Sequence, residues 1–309
     1  MKKYLVGVDI GGTSIKIGLF DLDGHLIRKW DMDTNKSDHG SHIIQEIAIN
    51  LRSNLNLKEV SGIGFGVPGP VTQDIVFESV NLGWKQLHVK EEFLKYIEAE
   101  DFNIHVSNDA NVAAAGELFQ GVAKGYRNMV MITLGTGIGG GIILDGNVID
   151  GVNGIAGEIG HIVVDFNHQL ACNCGKLGCL ETVSSATGIV NLAKIKLLES
   201  SLPSTLRKYT SFSAKKVLDA AKEGDILSIE VIDESMSYLA YAMSLITNVI
   251  NPEVFVIGGG VSNAGEYLLE KIEKYYLPYV KPFLSRANFV IASLGNDAGI
   301  YGAAYMVKP

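Results

Sequence analysis

Four residues of metal-binding type and two carboxylates fall in one short stretch. They lie in Gly157-Glu158-Ile159-Gly160-His161 and in Cys172-Asn173-Cys174-Gly175-Lys176-Leu177-Gly178-Cys179-Leu180-Glu181, which together hold all three cysteines of the chain. The spacing His161-x10-Cys172-x-Cys174-x4-Cys179 departs from the C-x2-C pairs of common zinc modules. Three thiolates and one imidazole still make a closed tetrahedral set, which organises a loop and leaves no open position for a catalytic water. Gly175 and Gly178 permit the tight turns such a loop needs. The competing reading is three reduced core cysteines beside a surface histidine. Glu158 precedes His161 by three residues, so a helical turn puts both on one face, where a solvated helix edge is the plain alternative.

A second group of residues suits phosphate chemistry. An apolar run ends in Asp9-Ile10-Gly11-Gly12-Thr13, and the pattern returns as Gly135-Thr136-Gly137-Ile138-Gly139-Gly140-Gly141 after Val130 to Leu134. Glycines let backbone N–H groups wrap phosphate oxygens, and a carboxylate at a strand end can hold a hydrated Mg²⁺. Two such hairpins suit two lobes that grip one polyphosphate from both sides; two unrelated hairpins with glycine turns are the alternative. Neither loop is a Walker A sequence, and Gly258-Gly259-Gly260 lacks the G-x-G-x-x-G spacing of a dinucleotide fold. That triplet can instead admit the flat face of a nucleobase or ribose. Asn108-Asp109 stands where a strand gives way to a helix. Both residue types are preferred N-caps; alternatively Asp109 is a general base that takes the proton of a substrate hydroxyl as it attacks phosphorus, in chemistry that needs little beyond positioning and charge neutralisation.

Composition narrows the classes. The chain has 309 residues, 47% hydrophobic and 19% charged, which points to a globular protein large enough for two domains. Its net charge of -8 provides no basic footprint for nucleic acid. Met1-Lys2-Lys3 leads into an apolar run that Asp9 ends, too short for a signal segment or a membrane span, so a cytoplasmic protein without a membrane partner is expected. An odd number of cysteines packed so tightly makes a poor disulfide framework and suits a reducing compartment.

The elements that must position these residues read as α/β. Tyr4 to Val8, Ser14 to Phe20 and His25 to Met32 form an opening meander with Asp23-Gly24 as a turn. Helical spacing runs from His42 to Leu55 and Glu91 to Glu98, with strands at Val60 to Val67 and Ile104 to Ser107. Asn108 begins an alanine-rich helix ending near Gly121. Beyond the cysteines come helices over Ala186 to Leu198, Ala214 to Glu223 and Ile226 to Ile250, stopped by Asn251-Pro252. A strand from Glu253 delivers the glycine triplet, a helix runs from Gly265 to Tyr276, a last strand from Asn288 to Ala292 and a small-residue helix from Ala298 to Val307. The expected division is a smaller N-terminal α/β lobe, residues 1–122, completed by the C-terminal helix 298–309, and a larger lobe, residues 123–297, that carries the zinc loop.

Taken in order, Asp9-Ile10-Gly11-Gly12-Thr13, Val67-Pro68-Gly69-Pro70-Val71, Asn108-Asp109-Ala110-Asn111, Leu134 to Gly141, Gly157 to His161, Cys172 to Glu181, Gly258-Gly259-Gly260 and Asp297-Ala298-Gly299 resemble the ROK family of sugar kinases across nearly the whole chain. The resemblance implies an actin-like (ribonuclease H-like), two-lobed ATPase fold with a closing cleft. It implies ATP-dependent phosphorylation of a hexose at its 6-hydroxyl, glucose being the commonest substrate among similar kinases, with Mg²⁺ accompanying ATP and a structural Zn²⁺. Asp109 would be the base and Asp9 would support the Mg²⁺. Asn108, Glu158, His161 and Glu181 would bind the other sugar hydroxyls, helped by the Gly69 backbone. Gly11, Gly12, Thr13, Thr136 and Gly137 would hold the phosphates, with Gly259 and Gly260 near the adenosine. His161, Cys172, Cys174 and Cys179 would hold zinc, His161 turning its second ring nitrogen toward the sugar. Homo-oligomers, dimers or tetramers, are common in the family.

Two departures bear on contacts only: Asn296 stands where many relatives have an acid, and Thr72-Gln73 where an Asp is frequent. N-acetylmannosamine, allose, fructose or a β-glucoside remain alternative sugars. A sugar-responsive repressor would need a helix-turn-helix module ahead of the first strand, and an actin-like ATPase without an acceptor would need no Glu158, His161 and Glu181 set.

Overall fold

The computed structural model describes residues 2–97, 102–281 and 287–309. Thirteen strands form three sheets among these residues. The first contains β1 (Tyr4–Ile10), β2 (Ser14–Asp21), β3 (Leu26–Asp33), β4 (Val60–Val67) and β8 (Asn103–Asn108) in the order β3-β2-β1-β4-β8. β1, β2 and β3 form an antiparallel meander, while β4 and β8 add parallel to β1. A small sheet of β5 (Val71–Thr72), β6 (Ile75–Ser79) and β7 (Trp84–His88) follows β4 in sequence. The third sheet orders β9 (Met129–Leu134), β10 (Ile138–Leu144), β11 (Asn147–Val148), β12 (Val254–Gly258) and β13 (Asn288–Ile291) as β11-β10-β9-β12-β13. It repeats the order of the first, with an antiparallel β10–β11 pair and parallel β9, β12 and β13.

The chain forms two compact units. One comprises Met1–Arg127, Gly141–Gly157 and Ser293–Pro309, the other Asn128–Gly140 and Glu158–Ala292. The parallel strands are apolar because both faces are covered: β12 is buried at every position. In the first unit Val6, Val8, Ile63 and Phe65 join Ile43, Ile44, Ile47 and Leu51 of the helix Ile43–Asn54 in one core. That helix shows the spacing its sequence calls for, turning its apolar stripe inward.

The helix Ala298–Tyr305 lies unusually close to the first sheet and to the helix Asp109–Phe119. A Cβ on Gly64 would fall 1.9 Å from the Ala303 carbonyl oxygen, and one on Gly302 would fall 1.6 Å from that of Val112. Backbone meets backbone there, so the position of one helix is transmitted directly to the other.

The helix expected from Glu91 to Glu98 is observed as Val89–Leu94, and Glu98 lies outside the described residues. The three short strands from Val71 to His88 were not expected, although Ile75-Val76-Phe77 is a β-branched and aromatic run. No helix among the described residues is long and apolar enough to cross a membrane.

Candidate functional site

In the first unit, Asp9 is the penultimate residue of β1, paired in register with Lys16 of β2 and Gly66 of β4. Its carboxylate packs on the start of the helix Ala298–Tyr305, because a Cβ on Gly299 would lie 2.5 Å from Oδ2. Burial pushes its pKa up from 3.8 to about 6, the Asp109 carboxylate adds to the rise, and Lys16 opposes it. Asp9 and Asp109 thus form an electrostatically coupled pair, the arrangement in which a divalent cation or a proton relieves repulsion. The adjoining bend is fastened from both sides. Gly11 N donates to Ser14 O at 3.0 Å, Thr34 Oγ1 to Gly11 O at 2.7 Å and Thr34 N to Thr13 O at 3.1 Å. Thr13 itself is exposed, and Gly12 has only Asn81 near its Cβ position.

Of the pair Asn108-Asp109, the first residue does the capping. Asn108 is the N-cap: its Oδ1 accepts from Ala110 N at 2.8 Å, and its Nδ2 donates to Gly69 O at 3.0 Å. Gly69, at φ +112, lies where a Cβ would meet the Glu78 carbonyl oxygen, so its carbonyl is fixed and already engaged by Asn108. Asp109 is the first residue of the helix, exposed, with Oδ1 2.8 Å from Ala110 N.

In the second unit, the loop Gly135-Thr136-Gly137 is closed by Gly135 N donating to Gly137 O at 3.0 Å. The start of the helix Ala186–Glu199 takes two of its carbonyls: Ala186 N donates to Gly135 O and Thr187 Oγ1 to Thr136 O, each at 2.8 Å. Gly135, Thr136 and Gly260 line a cavity of about 560 Å³, within the size range of small-molecule sites. Gly259 adopts φ +82, with Leu134 backbone 2.5 Å from its Cβ position, while the space beside Gly260 is open. The rest of the cavity wall includes Ser213, Lys215, Leu218, Asp219, Lys222 and Asn263, none of which the sequence marks as functional. Lys222 Nζ joins two walls by donating to Ala264 O at 2.9 Å. The N-cap Ser213 and the amphipathic spacing of Ala214–Lys222 signal a helix, but nothing local says what its polar face meets.

The cysteine stretch also gathers in the second unit. One ligand atom from each of His161, Cys172, Cys174 and Cys179 lies within 4.8 Å of the others. Cys174 Sγ is 3.6 Å from Cys179 Sγ, and Cys172 Sγ is 3.5 Å from His161 Nδ1. A tetrahedron with metal–sulfur bonds of about 2.3 Å has edges of roughly 3.8 Å, so the set fits Zn²⁺. Burial pushes the Cys179 thiol up to about 12 and raises Cys172, whereas the Lys176 backbone N–H lowers Cys174. Holding all three as thiolates therefore calls for a cation among them.

His161 turns its other nitrogen, Nε2, toward Glu158, 3.7 Å from Oε2. Glu158 is exposed and precedes the 3-10 turn Ile159–His161, so the two do share a face. Glu181 opens the short helix Glu181–Ser184; its Oε2 accepts from Ile138 N at 3.1 Å, and its Oε1 lies 3.6 Å from Cys172 Sγ. Its carboxylate therefore links the cysteine stretch to the glycine loop, a connection that spacing alone did not reveal.

The ROK family model matches residues 5–309. The chain is 43% identical to the glucokinase of Halalkalibacterium halodurans, over 99% of this chain and 95% of that one. It is 36% identical to the glucokinase of Thermotoga maritima, over 99% and 98%. Among solved structures it is similar to the ROK family glucokinase from Streptomyces griseus in complex with glucose and AMPPNP, at a TM-score of 0.76 and 29% identity, covering 99% of both chains.

Proposed function

Since the chain belongs to the ROK family, we propose that it is an ATP-dependent hexose kinase that phosphorylates the 6-hydroxyl of glucose. The observation that carries this reading is the likeness, over nearly the entire chain, to glucokinases. The site geometry supports it residue by residue.

Asp109 takes the proton of the attacking hydroxyl; it is exposed at the first position of its helix, where an acceptor can reach it. Asp9 supports the Mg²⁺ that accompanies ATP, as a coupled carboxylate pair suits. Gly11, Gly12, Thr13, Thr136 and Gly137 hold the phosphates through backbone and hydroxyl donors. Gly259 and Gly260 border the nucleoside, which the cavity in the second unit is large enough to admit. Asn108, Glu158, His161 and Glu181 bind the remaining sugar hydroxyls; Asn108 also fixes the Gly69 carbonyl. We read the matching order of the two five-stranded sheets as the actin-like duplication, with one glycine hairpin in each. Zinc, held by His161, Cys172, Cys174 and Cys179, braces the sugar-reading loop and takes no part in the transfer.

The test is ADP release with Mg²⁺-ATP over a panel of glucose, N-acetylmannosamine, allose, fructose and a β-glucoside. Highest kcat/KM on glucose is expected. A clear preference for another sugar would replace the substrate and keep the reaction; no sugar-dependent ADP release would overturn both.

A further inference from the structure

Glu117 is the one acidic residue in the apolar, alanine-rich helix Asp109–Phe119 after Asp109 itself, and its side chain is wholly buried, at 0% exposure. Four donors converge on its carboxylate. Oε1 accepts from Ser293 N and Leu294 N, each at 2.8 Å. Oε2 accepts from Val122 N at 2.9 Å and Ser293 Oγ at 3.0 Å. A buried carboxylate is costly unless its lone pairs are filled, and here they are filled by two segments far apart in sequence.

The segment it grips has a destination. Ser293-Leu294 runs through the turn Gly295–Asp297 into the helix Ala298–Tyr305. Gly299 of that helix backs the Asp9 carboxylate, and Gly302 and Gly116 bring the helix against the one carrying Asp109. Asp109 and Glu117 are eight residues, or about 12 Å, apart along one helix axis. We propose that Glu117 is a positioning residue for the Asp9–Asp109 pair: by clamping the entry of the helix Ala298–Tyr305 to the helix Asp109–Phe119, it fixes the two carboxylates relative to each other.

This rests on the kinase reading, and the experiment separates the two. Wild-type sugar-dependent ADP release is measured first, with the preferred sugar of the panel; its absence with every sugar overturns the reading and this inference with it. Glu117→Gln keeps the side-chain shape but turns an amide N–H₂ toward donors. Its kcat is expected to fall about tenfold to a hundredfold, since misplacement on the ångström scale costs that much. KM for that sugar and for ATP should stay within about threefold of wild type, the signature of an interaction needed only in the transition state. A variant with a lowered melting temperature but wild-type kcat, assayed well below that temperature, would show a merely structural role and overturn the proposal. If Glu117→Gln does not fold, Ser293→Ala removes one hydroxyl bond and leaves the backbone bonds. A kcat lowered about threefold with unchanged KM then supports the clamp, and an unchanged kcat overturns it.

Discussion

The Glu181 carboxylate accepts a hydrogen bond from the Ile138 backbone N–H at 3.1 Å, in the place where a side chain on Gly137 would stand. A Cβ at Gly137 would lie 2.1 Å from Glu181 Oε2. The glycine loop and the cysteine stretch are thereby one construction in the second unit, and a change in either reaches the other.

Gly137→Ala should expel the Glu181 carboxylate from that position. Sugar binding, read by calorimetry, is expected to weaken about tenfold or more, as loss of a charged hydrogen-bonding group commonly does. KM for ATP should rise too. Unchanged affinity for both would mean that Glu181 neither touches sugar nor shapes the loop.

The Asp109→Asn variant tests the base. Its kcat should drop about 10²- to 10⁴-fold, the range for loss of a general base. The melting temperature and sugar affinity should change little, because Asn108 and not Asp109 caps the helix. Turnover near wild type would remove Asp109 from the chemistry.

Asp9 gives a pH prediction whose sign is opposite to that of a salt-bridged carboxylate. Its pKa rises from 3.8 to about 6 on folding. Between these values the folded chain keeps a proton the unfolded chain has released, so stability falls as pH rises through about 6. Asp9→Asn should therefore be more stable than wild type at pH 8, by on the order of 1–3 kcal/mol, with the gain vanishing near pH 4. Urea unfolding at both pH values reads this out. Destabilisation at pH 8 would contradict it.

Metal analysis should find one zinc per chain. Cys174→Ser should lose it and weaken sugar binding, whereas Glu158→Gln should weaken sugar binding and keep it. The reason is geometric: Glu158 meets His161 through Nε2, on the side away from Cys172. Loss of zinc from Glu158→Gln would make Glu158 part of the metal site.

Much of this arrangement is legible in residue order. The opening meander, the glycine bends and the long helix Ile226–Ile250 follow from alternation, glycine placement and helical spacing. The Cys172–Cys179 loop is legible for a different reason: its ligands are close in sequence, so the chain has few ways to keep them apart. What escapes is set by tertiary approach. The strands Val71–Thr72, Ile75–Ser79 and Trp84–His88 are too short to show a clear alternation, and Gln86 takes a left-handed φ of 48 within the last of them. The cavity wall of Ala214–Lys222 reads as an ordinary amphipathic helix until Gly260 and Thr136 are placed opposite. Glu117 had a usable signal, a lone acid amid Ala114, Ala115 and Leu118, but three of its four donors lie more than 170 residues away, on Ser293 and Leu294.

The most direct measurement is phosphorus NMR of a reaction containing the protein, Mg²⁺-ATP and glucose. ADP and glucose 6-phosphate are expected in equal amounts, with no product from 6-deoxyglucose. Phosphate released to water in place of a sugar phosphate, or a phosphoryl group on another hydroxyl, would contradict the proposed reaction.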